Sequence, residues 1–531
     1  MTQRSLIDGR LLLSFEGHEL PGDVQKTFAE RDVSGVTLFR PHNYDTPAQL
    51  WELNASIQRA NRSDVPALIA IDQEGGQLHA FGSPATMWPG NMALGAVNDT
   101  VLTERVGAAI AAELRAVGIN VVYAPVADLA SNPNNPATGA RSFGDDPAHV
   151  AGHVGAIVRG FQSQGVAATM KHFPGKGNAS VDSHHAMPLL GHDLNRLHDV
   201  ELAPFKAAIA ADVKLVMTGH FALPALTGSD DLPCTLAAES NTHLLRDELG
   251  FAGAMVTDAL DMKALEQGAY QIVDLIAAVG SGVDLLLLTA DEAQQERATI
   301  GLELAVSRRL IAEERLQEAE QRVRSLRSWV AFDSAPNLDV VGSRDHSELN
   351  REVSERSITL LKNDDGLLPL GLTNSSSVLV VETQPAKITP ADTSDYEEPL
   401  LADELRSVSN AQISSLVVPF EPDGQDIAAA IAQAVSVDVV VIGTAAASLV
   451  PSQSELVRAV HSANHRTIVL AQRTPWDILE FPEIQTYLCS WSVNRESTRA
   501  AAQALTGAMP ITGRCPVAVG AFPSGAGIDL R

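Results

Sequence analysis

A rhythm in the first 330 residues constrains this chain more than any other feature. Eight short aliphatic or β-branched runs alternate with helical stretches. The runs fall at 11–15, 35–39, 67–71, 119–123, 166–170, 214–217, 254–257 and 283–288. Each is near-continuous rather than alternating, as expected of strands buried on both faces of a parallel sheet. Helical stretches at 48–60, 100–117, 147–163, 197–211, 236–249 and 262–279 lie between them. Gly118, Gly165 and Gly250 close three of these, where glycine readily takes the left-handed conformation of a helix end. Eight β units joined by helices predict a closed (β/α)8 TIM barrel rather than an open doubly wound α/β sheet.

The chain runs on to 531 residues. Charge-rich helical sequence at 291–329 precedes a linker, expected over 331–346 and centred on 332–341 (FDSAPNLDVV). A second block begins at 347, with strand-like runs at 378–381, 416–420, 437–442, 467–470 and 487–491. The expected domains are therefore a barrel over 1–330 and a smaller α/β sandwich over 347–531. The polar, proline-bearing segment 383–400 reads as an exposed loop.

Composition removes several function classes. Lys+Arg total 38 and Asp+Glu 65, a net charge of −27. Such a surface repels phosphate backbones and anionic lipid, so neither nucleic acid nor a membrane surface is an expected partner. No apolar run reaches the ~18 residues of a membrane helix, and the N-terminus lacks a signal-peptide pattern. Cys234, Cys489 and Cys515 are odd in number and far apart, suggesting neither disulfides nor a zinc site. The expected location is cytoplasmic. No glycine-rich phosphate loop follows a strand and no metal-ligand spacing occurs, so no cofactor or metal is expected. Lysine is scarce, with eight in the chain, yet Lys171 and Lys176 lie five positions apart.

In a barrel, chemistry collects at the C-terminal ends of the strands. Here the third run leads into Asp72-Gln73-Glu74-Gly75-Gly76. The fourth leads to Asp128 and a loop carrying Asn132, Asn135, Arg141 and Ser142. The fifth ends in Lys171-His172, the sixth in His220 and the seventh in Asp258. Any one of these could be a strand-end cap; five in succession point to a site. Carboxylates accept from vicinal hydroxyls and Arg and Lys donate to ring oxygens, so the set suits a polyhydroxylated ligand. The long glycine-punctuated segment 171–188 contains Asp182 and His184. In an extended segment these two fall on one face, where the carboxylate can orient the imidazole for acid–base work; a surface loop with incidental histidines fits the spacing equally well.

These motifs resemble glycoside hydrolase family 3, specifically its bacterial β-N-acetylglucosaminidase branch in the two-domain form. Asp72–Gly76, Asn132–Pro136 with Arg141–Pro147, and Lys171–Gly175 with Asp182-Ser183-His184 match its motifs in order. Leu245–Gly253 leading to Thr257–Met262 resembles its nucleophile segment, and Ser354–Asn363 the start of its C-terminal domain. The resemblance implies Asp258 as nucleophile, His184 as acid/base and Asp182 as its orienting carboxylate. It implies that Asp72, Arg141, Lys171 and His172 hold the sugar, with Asp128 among the substrate-binding residues. The implied activity is that of a retaining, exo-acting β-N-acetylglucosaminidase acting on a small glycoside or oligosaccharide. Phosphorolysis with inorganic phosphate as acceptor, β-glucosidase activity and non-catalytic sugar binding are the alternatives. The chain departs from the family at Lys176, where histidine is common, and at Gln77 and Ala80, commonly basic positions. Lys176 reads as a solvated loop lysine, the alternative being a contact to an anionic substrate group. Trp476 and Asp477 read as structural, packing on the barrel.

Overall fold

The computed structural model of the protein describes residues 2–331 and 335–531. Strands β1 (Leu11–Leu13), β2 (Gly35–Leu38), β3 (Leu68–Ile71) and β4 (Val121–Val122) pair in parallel. They continue through β5 (Ala167–Phe173), β6 (Leu215–Thr218) and β7 (Ala254–Thr257). Strand β8 (Leu286–Leu287) pairs with β1, and a bridge between Val256 and Leu285 closes the ring. All eight runs expected from the sequence thus become staves of a (β/α)8 barrel.

Alternation within each stave builds two cores, because successive strand side chains point to opposite faces. Leu12, Leu68, Ala70, Val121, Leu215, Val256 and Leu287 share the interior cluster. Their neighbours Leu11, Leu13, Ile69, Ile71, Val122, Val216 and Leu286 pack outward with the helices. Helix Pro147–Ser163 forms over the span the sequence predicts, capped by Asp146, which accepts from the His149 backbone N–H. One helix is shorter than expected. Residues 262–270 do not join the helix that begins at Gln271 (Gln271–Ser281), because side chains hold them in a loop. Asp274 accepts from the Glu266 backbone, and Gln267 donates to the carbonyls of Leu260, Met262 and Leu265.

Part of the expected linker, residues 332–334, lies outside the described residues. The rest forms a short 3-10 turn, Leu338–Val340, before helix Arg344–Ser357, which packs on barrel helix Asn91–Val97 and on Arg495–Thr506. Beyond it stands a six-stranded sheet of β9 (Thr359–Asn363), β10 (Ser377–Thr383), β11 (Gln412–Val418), β12 (Val439–Thr444), β13 (Thr467–Ala471) and β14 (Thr486–Cys489). Its order is β9-β14-β13-β12-β10-β11, parallel except for β9. Strand β9 went unpredicted as a strand. Its polar end, Lys362-Asn363, hides a short edge strand from any hydrophobicity pattern.

An apolar cluster crosses between barrel and sheet, joining Met92, Ala93, Ala96 and Ala140 to Trp476, Ile478 and Tyr487. Trp476 is buried, as a packing role requires, and Asp477 accepts from Thr444 and from the Ser448 backbone. Segment 383–400 corrects its expectation as an exposed loop. Thr389, Asp392, Thr393 and Ser394 are buried against the barrel. Thr393 donates its backbone N–H to the Gln77 carbonyl and its hydroxyl accepts from the His79 backbone. Thr393 reads as solvated because its partners, His79 and Gln77, are backbone groups 314 and 316 positions away, and Asp392 because it pairs with Arg473.

Candidate active site

The C-terminal ends of β3 to β7 bring the predicted polar residues to one side of the barrel. Strand β5 carries Lys171 and His172 in succession, and neighbours in a regular strand face opposite ways. The register with β6 shifts between Met170 and Phe173, and both side chains reach the site. Lys171 Nζ donates to Asp72 Oδ1 at 2.5 Å and lies 2.6 Å from Glu74 Oε1. Arg141 grips Glu74 with two bonds of 2.8 Å and donates a third to the Ala137 carbonyl. Burial alone would raise the Glu74 carboxyl, but Arg141 and Lys171 hold it well below the usual range. Glu74 is the residue that sequence reasoning missed. It stands two positions from Asp72, the spacing that places two strand residues on one face, and that signal was available.

His172 is buried, with Nδ1 2.7 Å from Asp128 Oδ2. Burial first, then the Lys176 charge, pushes its imidazole well below its ordinary value, so it is neutral near pH 7. With Nδ1–H donating to Asp128, Nε2 is left as an acceptor, 3.8 Å from Asp258 Oδ2. Asp128 itself is buried, and both its oxygens are engaged within the protein. Its Oδ1 accepts from the backbone N–H groups of His172 and Lys176, and its Oδ2 is committed to His172.

Asp258 ends β7 with its side chain 16% exposed, enough to meet a ligand. Its Oδ1 accepts from the Ala259 backbone. Burial opposes its ionisation, but His172 and His220, when protonated at low pH, and the Lys176 cation face it and hold the carboxyl below the usual carboxylate range. His220 is itself fixed by Thr235 and the Ala259 carbonyl. Asp182 Oδ1 accepts from the His184 backbone N–H and, at 2.8 Å, from Nδ1, leaving Nε2 of a ring 24% exposed free to face a substrate.

The loop bearing this pair is sewn to its neighbours. Asn135 Nδ2 donates to the carbonyls of Lys176 and Gly177, and Asn132 Nδ2 to Ala179. Leu190 and Ala222 join its far end to the loop after β6, and Ala264 donates to the Ser183 carbonyl. Lys176 corrects the expectation of a solvated lysine: it is 2% exposed and packed into the site, because Gly177 presses against the Leu129 backbone and draws the loop inward. Gln77 and Ala80 are also buried, near the contact with segment 383–400. Beside Asp258 opens a cavity of about 760 Å³, lined by Phe15, Phe39, His42, Ala259, Asp261 and Thr289 at the ends of β1, β2, β7 and β8. No group of three potential metal ligands occurs among the described residues.

Comparison with known proteins places this geometry. Residues 12–326 match the model of the glycosyl hydrolase family 3 N-terminal domain and residues 358–524 that of the C-terminal domain. Beta-hexosaminidase A of Pseudoalteromonas piscicida is 34% identical over 66% of this chain, and beta-N-acetylglucosaminidase/beta-glucosidase of Cellulomonas fimi is 34% identical over the same share. The aligned part spans 63% of each of these relatives' length. The structure of a glycoside hydrolase family 3 beta-N-acetylglucosaminidase from Paenibacillus superposes with a TM-score of 0.91 at 34% identity, covering 98% of this chain and 99% of that one. A beta-glucoside phosphorylase shares the fold at 23% identity, with a TM-score of 0.82 over 98% of this chain and 94% of that one. Two domain models in sequence order and whole-length likeness lead to one conclusion: the chain belongs to glycosyl hydrolase family 3.

Proposed function

We propose that the protein is a retaining, exo-acting β-N-acetylglucosaminidase that releases terminal β-linked N-acetylglucosamine. The observation that carries this reading is an ionised Asp258 in the same site as an imidazole oriented by a carboxylate. Retention takes two steps. Protonated His184 gives the Nε2 proton to the glycosidic oxygen as Asp258 attacks the anomeric carbon, and the aglycone leaves as an alcohol. Neutral His184 then takes a proton from water, whose oxygen displaces the Asp258 carboxylate from the anomeric carbon. Asp72, Lys171 and Arg141 grip the hydroxyls, with Glu74 fixing both cations; the neutral Nε2 of His172 accepts from another hydroxyl. The adjoining cavity houses the parts of the substrate beyond the sugar ring. The relatives' names support the choice of N-acetylglucosamine. The three buried free cysteines suit a reducing, cytoplasmic setting.

The test is p-nitrophenyl β-N-acetylglucosaminide turnover followed by NMR of the first-formed sugar, with and without phosphate. The β-anomer of free N-acetylglucosamine is expected in both arms. An α-anomer overturns retention, a sugar 1-phosphate overturns hydrolysis, and faster cleavage of the β-glucoside overturns the sugar. D258N should lower kcat by several orders of magnitude without lowering Tm.

A further inference from the structure

The cavity beside Asp258 differs in charge from the floor of the sugar site. Asp and Glu supply five of its sixteen lining residues, against 65 of 531 in the whole chain, and none of the sixteen is Lys or Arg. The general acidity of the protein therefore does not account for it. Asp23, Asp261 and Glu292 make no ion pair among the described residues. Asp291 meets Arg297 at 3.5 Å, outside the cavity lining. His42, the one basic group on the wall, stands 3.8 Å from Glu16, so its protonation offsets at most one of the five charges. A buried hydroxyl on the same wall is also unmet: Ser14 is 4% exposed and its Oγ has no partner. Buried polar groups without partners are rare in folded proteins.

The wall of the cavity ties the nucleophile to the acid. It includes Ala259, whose backbone N–H binds Asp258 Oδ1 at 2.9 Å. The same segment runs through Asp261 to Ala264, which donates to the carbonyl of Ser183, next to His184. A general acid stands beside the oxygen that leaves, so a group seated along this wall belongs to the aglycone. Phe15 and Phe39 offer it apolar faces. The sugar floor, in contrast, gathers Arg141, Lys171 and Lys176. Charge thus changes sign between the two halves of the site.

We infer that the cavity is a subsite for a cationic aglycone, an amino sugar whose nitrogen is a free ammonium rather than an acetamide. The inference rests on the glycosidase reading above and names the substrate class of that site. An ammonium supplies three donors to carboxylates that have none, and a ring hydroxyl meets Ser14. An acetamide at the same carbon brings no charge, and a carboxylated aglycone is repelled. All five carboxylates are exposed, so the attraction is screened by salt.

The experiment compares three β-1,4 disaccharides at about pH 6, where the sugar amine is protonated. Each carries N-acetylglucosamine at the non-reducing end, joined to glucosamine, N-acetylglucosamine or glucuronic acid. The kcat/KM on the glucosamine disaccharide should exceed that on the N-acetylglucosamine one by at least about fivefold, and the glucuronic acid one should be slowest. The advantage should shrink as salt rises from about 0.05 to 0.5 M. In the double variant D23N/E292Q it should fall to about twofold or less. Equal rates on amine and acetamide, a preference for the glucuronic acid compound, or an advantage untouched by the double variant overturn the inference while leaving the glycosidase reading intact. A wild-type protein inactive on all three and on p-nitrophenyl β-N-acetylglucosaminide overturns that reading instead. Should the double variant not fold, a crystal structure of D258N with the glucosamine disaccharide decides. The amine within hydrogen-bond distance of a cavity carboxylate supports the inference, and an aglycone seated outside the cavity overturns it.

Discussion

Glu74 shows how much of a sugar site is scaffolding. Neither Arg141 nor Lys171 would stand in place without it, since each is buried and pairs with it. Removing one partner of a buried ion pair leaves an uncompensated charge and costs roughly 3–5 kcal/mol. E74Q should therefore lower stability by about that amount at pH 7, read by denaturant unfolding. It should also reduce kcat/KM. The sign with pH follows from its depressed folded-state value. The ionised carboxylate stabilises the fold above the unfolded value near ~4.3, and that contribution fades as pH falls further. The gap between wild type and E74Q should thus be full at neutral pH and shrink below about pH 4. A gap that does not change with pH would show that the ion pairs do not carry the effect.

The catalytic loop is the element on which the reading depends most. Its approach to the barrel rests on Gly177, where an added Cβ would sit 1.8 Å from the Leu129 carbonyl oxygen. Neither backbone can yield without moving Asn135's grip on Lys176 and Gly177. G177A should displace the segment carrying Asp182 and His184. A misplacement of about 1 Å can cost on the order of 10²-fold in rate, so kcat/KM should fall about 100-fold. Sugar binding through Asp72, after β3, and Lys171, held within β5 ahead of the loop, should change far less, as calorimetric titration with N-acetylglucosamine would report. Loss of binding and turnover together would show that the loop also builds the sugar pocket. The spacing of Asp182 and His184 was legible in the sequence; the burial of Lys176 was not, because it depends on a backbone contact 48 positions away.

At the scale of the whole molecule, the two units share a core. Trp476 belongs to the same apolar cluster as Met92, Ala93 and Ala140 of the barrel. Truncating a buried Trp to Ala typically costs about 3–5 kcal/mol. The wild type should unfold in a single calorimetric transition; W476A should destabilise by that amount and split it into two. A single transition at lower temperature would mean that the units stay coupled through helix Arg344–Ser357 and segment 383–400. The net charge of −27 keeps the surface repulsive to polyanions, yet the floor of the site gathers Arg141, Lys171 and Lys176.

The sequence by itself determined the barrel, since eight aliphatic runs with helices between them leave few other ways to bury apolar surface. It determined which strand ends carry ionisable groups, because strand and loop alternate at short range. Only the tertiary structure decided how those groups pair. Glu74 beneath Lys171 and Arg141, Asp128 behind His172, and Thr393 on Gln77 are contacts between residues 44 to 316 positions apart. Their energy depends on distance and burial in space, which no local pattern of residues records. Lys176 changed most between the two readings: polar neighbours in sequence suggested water, and packing put it inside.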